Sequence, residues 1–551
     1  MNNNNNAKFT KINEKKYVKK YFKYKQKYLD LKNIQKGGVE DENLEQHTTK
    51  YQKDIELFKS NKSKSVKTVL DSLGEMSVPA DKYWGGVTAR YLKYFPNDFS
   101  SIPINLIHNY AILKKCAAVV NEKNNLIDKK RSEIIQQVCD EIIEGKLDDN
   151  FPITLWQTGS GTTTNMNLNE VISNRSNEIV FEKNSKIDDD SYIHPNDHVN
   201  KSQSSNDSFP TALHICFVYE IITKLQPVLQ KIIYTLDEKT KEFSKIYKIG
   251  RTHLQDAVPL TFGQEFSGYK TLIETNLESI MRSLNYLYEL PLGGTAVGTG
   301  INTFATFGSE FADKLNEYFS NINDDYNKFV SAKILTGDIP KDTFQNKIIT
   351  KFVTAPNKFA AISANNPIMI LSSSLKELAI NLIKIANDIR WMVSGPRAGL
   401  NEIKINQNEP GSSIMPGKVN PTQAEVIVMI GIEIISNDLA VGFCGTQGNF
   451  ELNVCRPIMF HKINESINLL VNFLLDFNDN LLSTIEINKE QVKKYLLNTV
   501  ITATLMNNEI GYENVSKIVH YAIDNNMDLK ETCEKLGYIN LYNEIIKPIL
   551  E

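Results

Sequence analysis

The sequence feature that most constrains the fold is a long amphipathic run between Asp207 and about Phe243. Asn206 and Asp207 are favourable N-cap residues for it, and Pro210 is tolerated in a first helical turn. At 1.5 Å per residue, the run predicts a helix about 50 Å long. Its apolar residues recur at the spacing of one helix face, at Leu213, Phe217, Ile221, Leu225, Leu229 and Ile232.

Three further stretches show the same periodicity, at about 265–290, 366–393 and 422–442. Strand signals are few, and we find no nucleotide-binding glycine pattern. Long helices must bury their apolar faces against one another. The sequence therefore predicts a mainly α fold, an elongated bundle of long helices with smaller N- and C-terminal domains.

Composition divides the chain into four predicted regions. They are a basic low-complexity extension at 1–63, an N-terminal domain at 64–200, the central bundle at 201–488 and a small C-terminal helical domain at 489–551. Within the bundle, a lysine- and asparagine-rich stretch at about 321–350 predicts an insertion that forms an extended loop or short hairpin.

The overall composition is that of a globular protein rather than of a protein that binds nucleic acid or lies in a membrane. The chain has 551 residues, 41% hydrophobic and 23% charged, with a net charge of −3. No apolar run approaches the roughly 20 residues that span a bilayer. Six cysteines without paired spacing predict reduced thiols and a cytoplasmic location. Eight histidines without a ligand cluster predict no metal, and we expect no other cofactor.

The extension contains a predicted basic helix that ends at Gly37 and Gly38. Three interpretations stay open: a helix that docks to an unknown partner, a tether to a membrane or nucleic acid surface, and a targeting leader. The segment resembles the lysine- and tyrosine-rich helix at the start of many large-DNA-virus proteins. Mitochondrial and virion-associated locations therefore stay open beside the cytoplasmic one. The apolar face of this helix consists of Tyr17, Tyr21, Tyr24, Tyr28 and Leu31.

Four polar, glycine-bearing segments interrupt the predicted helices and suit an anionic ligand. One is GSSIMPGKVNP at Gly411–Pro421, in which glycines and prolines shape a loop that presents two hydroxyls, an ammonium and an amide. Glu425 follows in the first turn of the next predicted helix. Taken alone, such a loop has a plainer interpretation as solvated surface.

The other three segments are Trp156–Glu170, His194–Pro210 and Gly250–Phe266. The second precedes the long helix, whose free amides and positive dipole end attract anions. Taken singly, each segment has a plainer interpretation as a helix cap or a structural histidine. Their candidate residues are Ser160 and Thr162, then Ser204, Ser205 and Asn206, then Thr252 and His253.

Together the segments resemble class II fumarases, a branch of the fumarase/aspartase superfamily, which adds or removes water or an amine across the double bond of fumarate. The resemblance covers nearly all of residues 66–551 and includes LGGTAVGTGIN, FVTAPNKF and IANDIRWMVSGPRAG. His253 in GRTHLQD favours the hydratase branch, because relatives that form aspartate usually carry glutamine there. One departure is His198, where fumarases more often have aspartate.

The resemblance implies fumarate hydratase activity, the reversible interconversion of (S)-malate with fumarate and water by anti elimination through a carbanion. It implies Ser412 as the catalytic base, and His253 paired with Glu425 for the water. A secondary anion site is implied at His194, Asn196 and Asp197. The small dicarboxylate would be bound by Ser160, Thr162, Ser204, Ser205, Asn206, Thr252, Lys418 and Asn420.

The resemblance also implies a homotetramer in which each site draws loops from three subunits. Two alternatives stay open, an aspartate ammonia-lyase of the same fold and a non-catalytic structural protein that retains the fold. All the presumed catalytic residues are present, which argues for an active enzyme.

Overall fold

The computed structural model describes residues 50–61, 65–99, 101–183, 186–335, 344 and 350–550. Residues Lys53–Glu551 form one compact unit, and Met1–Gln52 belong to another. The basic helix predicted between residues 17 and 31 lies outside the described residues.

The N-terminal part joins a β-hairpin to mostly buried helices. Asn61, at the end of the first helix, accepts a hydrogen bond from the Thr68 backbone amide at 2.9 Å, and Ile55 is buried. Residues 53–61 therefore pack against the domain predicted to begin at 64, and the four-region division stays a prediction. The elements are α1 (Gln52–Asn61), β1 (Val66–Asp71), β2 (Gly74–Pro79), α2 (Gly86–Tyr94), α3 (Ile104–Lys123), α4 (Lys129–Ile143) and α5 (Thr162–Lys183).

The predicted long helix is confirmed and runs from Ser205 to Glu242. It consists of α6 (Ser205–Glu220), a π-helical turn at Ile221–Leu225, and α7 (Gln226–Glu242). Its N-cap is Ser204 rather than the predicted Asn206 or Asp207, and Pro210 lies beyond the first helical turn. Ser204 forms a capping box, in which Asp207 accepts a hydrogen bond from the Ser204 amide at 2.9 Å. Pro227 has no amide hydrogen to donate to the preceding turn, and the helix widens there.

The other predicted long helices are also present, and they pack side by side with α7. α7 lies against α8, α8 against α12, α12 against α13, and α13 against α14. α14 was not predicted from the sequence. The ranges are α8 (Phe262–Leu287), α12 (Asn366–Val393), α13 (Thr422–Gly445) and α14 (Arg456–Asn480).

Short strand pairs and smaller helices connect and flank the bundle. Antiparallel pairs are β3 (Tyr247–Thr252) with β4 (Gln255–Thr261), β7 (Ile403–Lys404) with β10 (Glu486–Ile487), and β8 (Gly448–Asn449) with β9 (Leu452–Asn453). β5 (Glu289–Leu290) pairs in parallel with β6 (Val353–Thr354). The smaller helices are α9 (Phe307–Tyr318), α10 (Ile322–Phe329), α11 (Lys358–Ser363), α15 (Lys489–Asn498), α16 (Asn507–Ile510), α17 (Tyr512–Asp524), α18 (Leu529–Lys535), α19 (Ile539–Ile545) and α20 (Lys547–Leu550).

The prediction of an extended loop or hairpin at 321–350 is wrong for its first part. Residues 322–334 form α10 and a π-helical turn. Ile322, Tyr326, Val330 and Ile334 recur every four positions and are buried, and Tyr326 donates a hydrogen bond to Gln230 of α7 at 2.6 Å. Most of the remaining stretch lies outside the described residues.

Two helices in the described part of the chain are long and apolar enough to cross a bilayer by length and composition, Ser205–Glu242 and α13. The expectation that no run approaches this length is wrong by this measure, because only Glu433 and Asp438 interrupt the apolar run of α13. The most apolar window of Ser205–Glu242 is 89% buried, as in a core helix, whereas that of α13 is 33% buried.

Candidate active site

Ser160, Thr162 and Ser205 meet within a single chain and form a row of hydroxyls. Ser160 Oγ lies 2.9 Å from Thr162 Oγ1, which lies 2.6 Å from Ser205 Oγ. Thr162 begins α5 and Ser205 begins α6, so two helix N-termini converge here. The positive dipole ends of both helices favour an anion at this point. We call these residues, with Asn206, the hydroxyl pocket.

Two glycines let the loop before α5 approach its neighbours closely enough to build this pocket. A Cβ on Gly159 would lie 1.4 Å from the Val454 carbonyl oxygen. Gly161 has φ +80°, and a Cβ there would lie 2.2 Å from the Phe209 ring. No other residue fits either position without displacing backbone or core.

Ser204, Asn206 and Asp207 tie the pocket to the loop that follows β5. Ser204 Oγ accepts a hydrogen bond from the Asn206 amide, so this hydroxyl caps the helix, and its substrate role stays a prediction. Asn206 Nδ2 donates to the Ala296 carbonyl at 2.8 Å. Asp207 Oδ2 accepts from the amides of Gly293 and Thr295 at 3.0 and 2.7 Å. Burial raises the pKa of Asp207 to about 6.

Thr252 and His253 lie at the exposed tip of the β3–β4 hairpin. His253 and Leu254 form its two-residue turn with φ of +56° and +60°, as in a type I′ turn. The base of the hairpin is fixed by an ion cluster around the buried Glu402. Arg251 Nη1 lies 2.9 Å from Glu402 Oε1, and Lys248 Nζ lies 3.2 Å from Glu402 Oε2.

The Ser412 loop, residues 411–420, holds its first serine in a defined turn. Ser412 Oγ accepts hydrogen bonds from the backbone amides of Met415 at 3.0 Å and Ile414 at 3.2 Å. Asn420 Nδ2 donates to the Gly411 carbonyl at 2.8 Å and closes the loop at its base. Lys418 is exposed. The loop thus presents a polarised hydroxyl and a lysine to the outside of the chain.

The chain keeps the hydroxyl pocket away from the other candidate residues. Arg456 at the start of α14 donates to the Asn206 carbonyl, whereas the Asn480 carbonyl at its end accepts from Asn408, just before the Ser412 loop. These ends are about 37 Å apart for 25 residues. The His253 hairpin follows the end of the Ser205–Glu242 helix, about 57 Å from Ser205 for 38 residues.

His253 and Glu425, which the sequence predicts as a pair, are both exposed. In the described part of the chain, no ion pair or hydrogen bond joins them.

The predicted secondary anion residues form a compact turn of their own. His194 Nδ1 accepts from the amides of Asn196 and Asp197 at 3.2 and 3.1 Å. His198 Nδ1 accepts from the His194 amide at 2.8 Å, and burial lowers the pKa of His198 to about 4. A neutral imidazole therefore accepts here, as an aspartate at this position could. His194 and Asn196 line a cavity of about 750 Å³ beside α1 and β1.

Comparisons with known proteins place these features in a family. A family model described as "Lyase" matches residues 74–333 and 325–436. Fumarate hydratase class II of Bacillus subtilis is 44% identical over 480 residues, which is 87% of this chain and 97% of that protein. The enzyme of the same name from Thermosynechococcus vestitus is 46% identical over 470 residues, 85% of this chain and 94% of that protein. The chain belongs to the class II fumarate hydratase family.

A solved structure supports the same assignment for the fold. The class II fumarase of Schistosoma mansoni superposes with a TM-score of 0.80 at 36% identity, over 88% of this chain and 98% of that chain. The predicted family and the mainly α, fumarase-like fold are therefore confirmed.

Sequence analysis missed Arg456, which holds the hydroxyl pocket together. Its guanidinium is fully buried and donates to the carbonyls of Asn206 and Ile362, and its own amide donates to the Gly159 carbonyl. Both segments of the pocket are thereby joined to the start of α14. The available signal was an arginine directly before Pro457, where a proline at the first helical turn marks a buried helix start.

Proposed function

We propose that this chain is an active fumarate hydratase that interconverts (S)-malate with fumarate and water. The observation that carries the proposal is the Ser412 turn, in which two backbone amides donate to one hydroxyl. A serine is a poor base unless its alkoxide is stabilised, and donors already aimed at the oxygen provide that stabilisation.

The difficult step in dehydration is removing a proton beside a carboxylate. The carbanion delocalises into that carboxylate, which becomes doubly negative, so the site must surround it with positive charge and donors. Lys418 and Asn420 lie on the same loop as Ser412 and are proposed to supply them. The hydroxyl pocket, with its two helix N-termini, is proposed to bind the substrate, with Thr252 at its second carboxylate.

On the opposite face, His253 is proposed to bind and polarise the departing water. A carboxylate partner orients an imidazole and raises its basicity, and Glu425 is the proposed partner. The left-handed turn at His253 and Leu254 supports this role, because it projects the ring from a pinned hairpin. No metal or other cofactor is proposed for these steps.

We propose a homotetramer in which copies complete one another's sites. The separation along α14 supports this, since a ligand at the hydroxyl pocket cannot also touch the Ser412 loop of the same chain. The apolar face of α13 supports it too, since contiguous exposed apolar surface marks an interface. That face includes Met429, Ile432, Leu439 and Phe443, each more than half exposed.

We propose a cytoplasmic location, which the free cysteines support, since reduced thiols are typical of the cytosol. The extension at 1–63 remains a proposed docking segment with an unknown partner.

The test is an absorbance assay of the purified full-length chain that follows fumarate formed from (S)-malate, with aspartate in a parallel cuvette. Malate turnover alone is the expected result. Aspartate turnover alone would make the protein an ammonia-lyase. No turnover of either substrate by a folded assembly would support the non-catalytic alternative.

A further inference from the structure

Three cationic side chains that the proposed chemistry does not use lie around the hydroxyl pocket. Lys114 of α3 and Arg456 of α14 are fully buried, and Lys358 of α11 is half-buried. Each donates to uncharged oxygens. Lys114 Nζ lies 2.9 Å from both Asn200 Oδ1 and Gln203 Oε1. Lys358 Nζ lies 2.7 Å from the carbonyl oxygen of Leu290, the last residue of β5, and 2.8 Å from that of Leu292.

A single carboxylate balances these three cations. Among the described residues, none of the three has a carboxylate within 4 Å, and Asp207 is the carboxylate whose charge acts on all of them. Asp207 in turn is already engaged by backbone amides. Buried charge without a counter-ion is costly, because the interior cannot replace the hydration that the ion has lost. The excess positive charge is therefore poised to attract an anion.

Each of the three cations is connected to the hydroxyl pocket through the segment to which it donates hydrogen bonds. Lys114 holds the turn at Asn200 and Gln203, which leads directly into Ser204 and Ser205. Arg456 donates to the Asn206 carbonyl at 2.8 Å. Lys358 donates to the Leu292 carbonyl, and the amide of the next residue, Gly293, donates to Asp207. We call Lys114, Lys358 and Arg456 the cationic floor.

We propose that the cationic floor makes the hydroxyl pocket selective for a dianion over a monoanion of similar size. This deepens the proposed function by assigning new specificity-determining residues to the same pocket. They act through the field of their charges and the loops they hold, so they are positioning residues rather than catalytic ones.

The ionisation of the floor gives this selectivity a pH dependence. Burial lowers the pKa of Lys114 to about 7 and that of Lys358 to about 8. Both lysines therefore lose charge as pH rises through 7 to 8, and a bound dianion would favour their charged forms. The other titratable groups that face the floor keep one form in this range. Burial raises the pKa of Tyr110 and Cys139, lowers that of His214 to about 4, and leaves that of Asp207 at about 6.

The test compares the affinities of succinate and of its monomethyl ester, which do not undergo dehydration, by calorimetry at pH 7. Wild type is expected to prefer succinate. Lys114→Met and Lys358→Met should each reduce that preference about tenfold, the effect of one unit charge at roughly 10 Å and an effective dielectric constant of about 20. A purely structural role would weaken both ligands equally.

Lys231→Met is the matched control, because Lys231 is also buried but pairs with Asp479 on the far side of the bundle. It should leave the preference unchanged. An unchanged preference in both test variants would overturn the proposal. If the variants do not fold, the test is the pH dependence of the wild-type preference for succinate. Its preference should fall between pH 7 and 9, and a flat profile would overturn the proposal.

Malate turnover by the same preparations separates this proposal from the proposed function. If the variants lose the preference for succinate and wild type does not turn over malate, the cationic floor is supported and the hydratase function is rejected. Normal turnover with an unchanged preference in Lys114→Met and Lys358→Met would reject the floor alone.

Discussion

The two halves of the candidate site differ in how complete they are within one chain. In the hydroxyl pocket, Ser160, Thr162 and Ser205 already contact one another, and a buried Arg456 joins their segments. The Ser412 loop and the His253 hairpin are exposed, and their candidate side chains reach no residue of the pocket. One half is organised by folding within one chain, and the other lies exposed at the surface of that chain.

This difference shows which residues folding alone can position. Groups beneath a helix N-terminus are fixed by capping, glycine packing and buried charge. Groups at the tip of a hairpin or loop are fixed only relative to their own base, and under the proposed tetramer their partners come from another copy. Changes in the two halves should therefore have different consequences.

The largest effect on activity is expected from a change in the exposed half of the site, which consists of the Ser412 loop and the His253 hairpin. Ser412→Ala should lower kcat for malate dehydration by about a thousandfold, within the range of losing a general base. The fold should be intact, because the hydroxyl makes contacts only within its own turn. Stopped-assay kinetics with circular dichroism as the control would check this, and near-normal turnover would reject the base assignment.

Mixing two inactive variants tests whether the halves come from different copies. Ser412→Ala and Asn206→Ala should each be inactive alone, and their co-expressed hybrid should recover about a quarter of wild-type activity by random assembly. The matched control is a co-expressed pair of Ser412→Ala with Lys418→Met. Both changes lie in the same loop, so no hybrid site receives an unchanged loop and the pair should stay inactive. An inactive Ser412→Ala with Asn206→Ala hybrid would place both halves in one chain.

The exclusion of water from the helix that begins at the hydroxyl pocket should affect how the stability of the protein depends on pH. Burial lowers the pKa of His214 on α6 to about 4, from an ordinary value near 6.5. The unfolded chain therefore binds a proton in this range that the folded chain does not. The contribution of His214 to stability is complete above pH 6.5, and it falls by on the order of 3 kcal/mol as pH drops to 4.

His214→Gln should flatten this slope in urea unfolding measured across that range. An unchanged slope would mean that water reaches the core of α6. His198 contributes with the same sign and Asp207, whose pKa burial raises to about 6, with the opposite sign, so the effect of His214 is the difference in slope between wild type and variant.

A pair of glycine substitutions compares the packing of the two halves directly. Gly159→Ala forces a Cβ onto the Val454 carbonyl and should lower the free energy of unfolding by about 3 kcal/mol or more. Gly417→Ala meets nothing within 4 Å and should cost only about 1 kcal/mol, from its φ of +81°. Equal losses in urea unfolding would contradict the contrast.

The smallest effect is expected from truncation. Removing residues 1–49 should leave kcat for malate unchanged, since none of the proposed site residues lies there. The cut spares α1, whose Asn61 pairs with Thr68. A large loss of kcat in a folded truncated chain would show that the extension serves the site.

The sequence predicted the parts of the fold that depend on local pattern. The Ser205–Glu242 helix was predictable because its apolar residues recur at helical spacing along the sequence, whereas its N-cap, Ser204, lies two residues before the predicted Asn206. The helix at 322–334 was missed, since lysines and asparagines obscure four apolar positions that only a partner helix identifies as core.

The sequence also located most candidate site residues, because their motifs are contiguous. It could not indicate the cationic floor. Lys114, Lys358 and Arg456 lie far apart in the chain, and nothing in the sequence distinguishes a buried lysine from a solvated one. The distance between His253 and the hydroxyl pocket likewise follows from helix length and packing rather than from any motif.

The closed base of the Ser412 loop affects when the loop becomes ordered, during folding or when substrate binds. Asn420 ties the loop at Gly411, and the close approach of the Lys418 carbonyl leaves no space for a Cβ there. A tied ring of ten residues has few internal conformations, so most of its chain entropy is lost during folding rather than when substrate arrives. The turn that holds Ser412 is therefore formed before substrate binds.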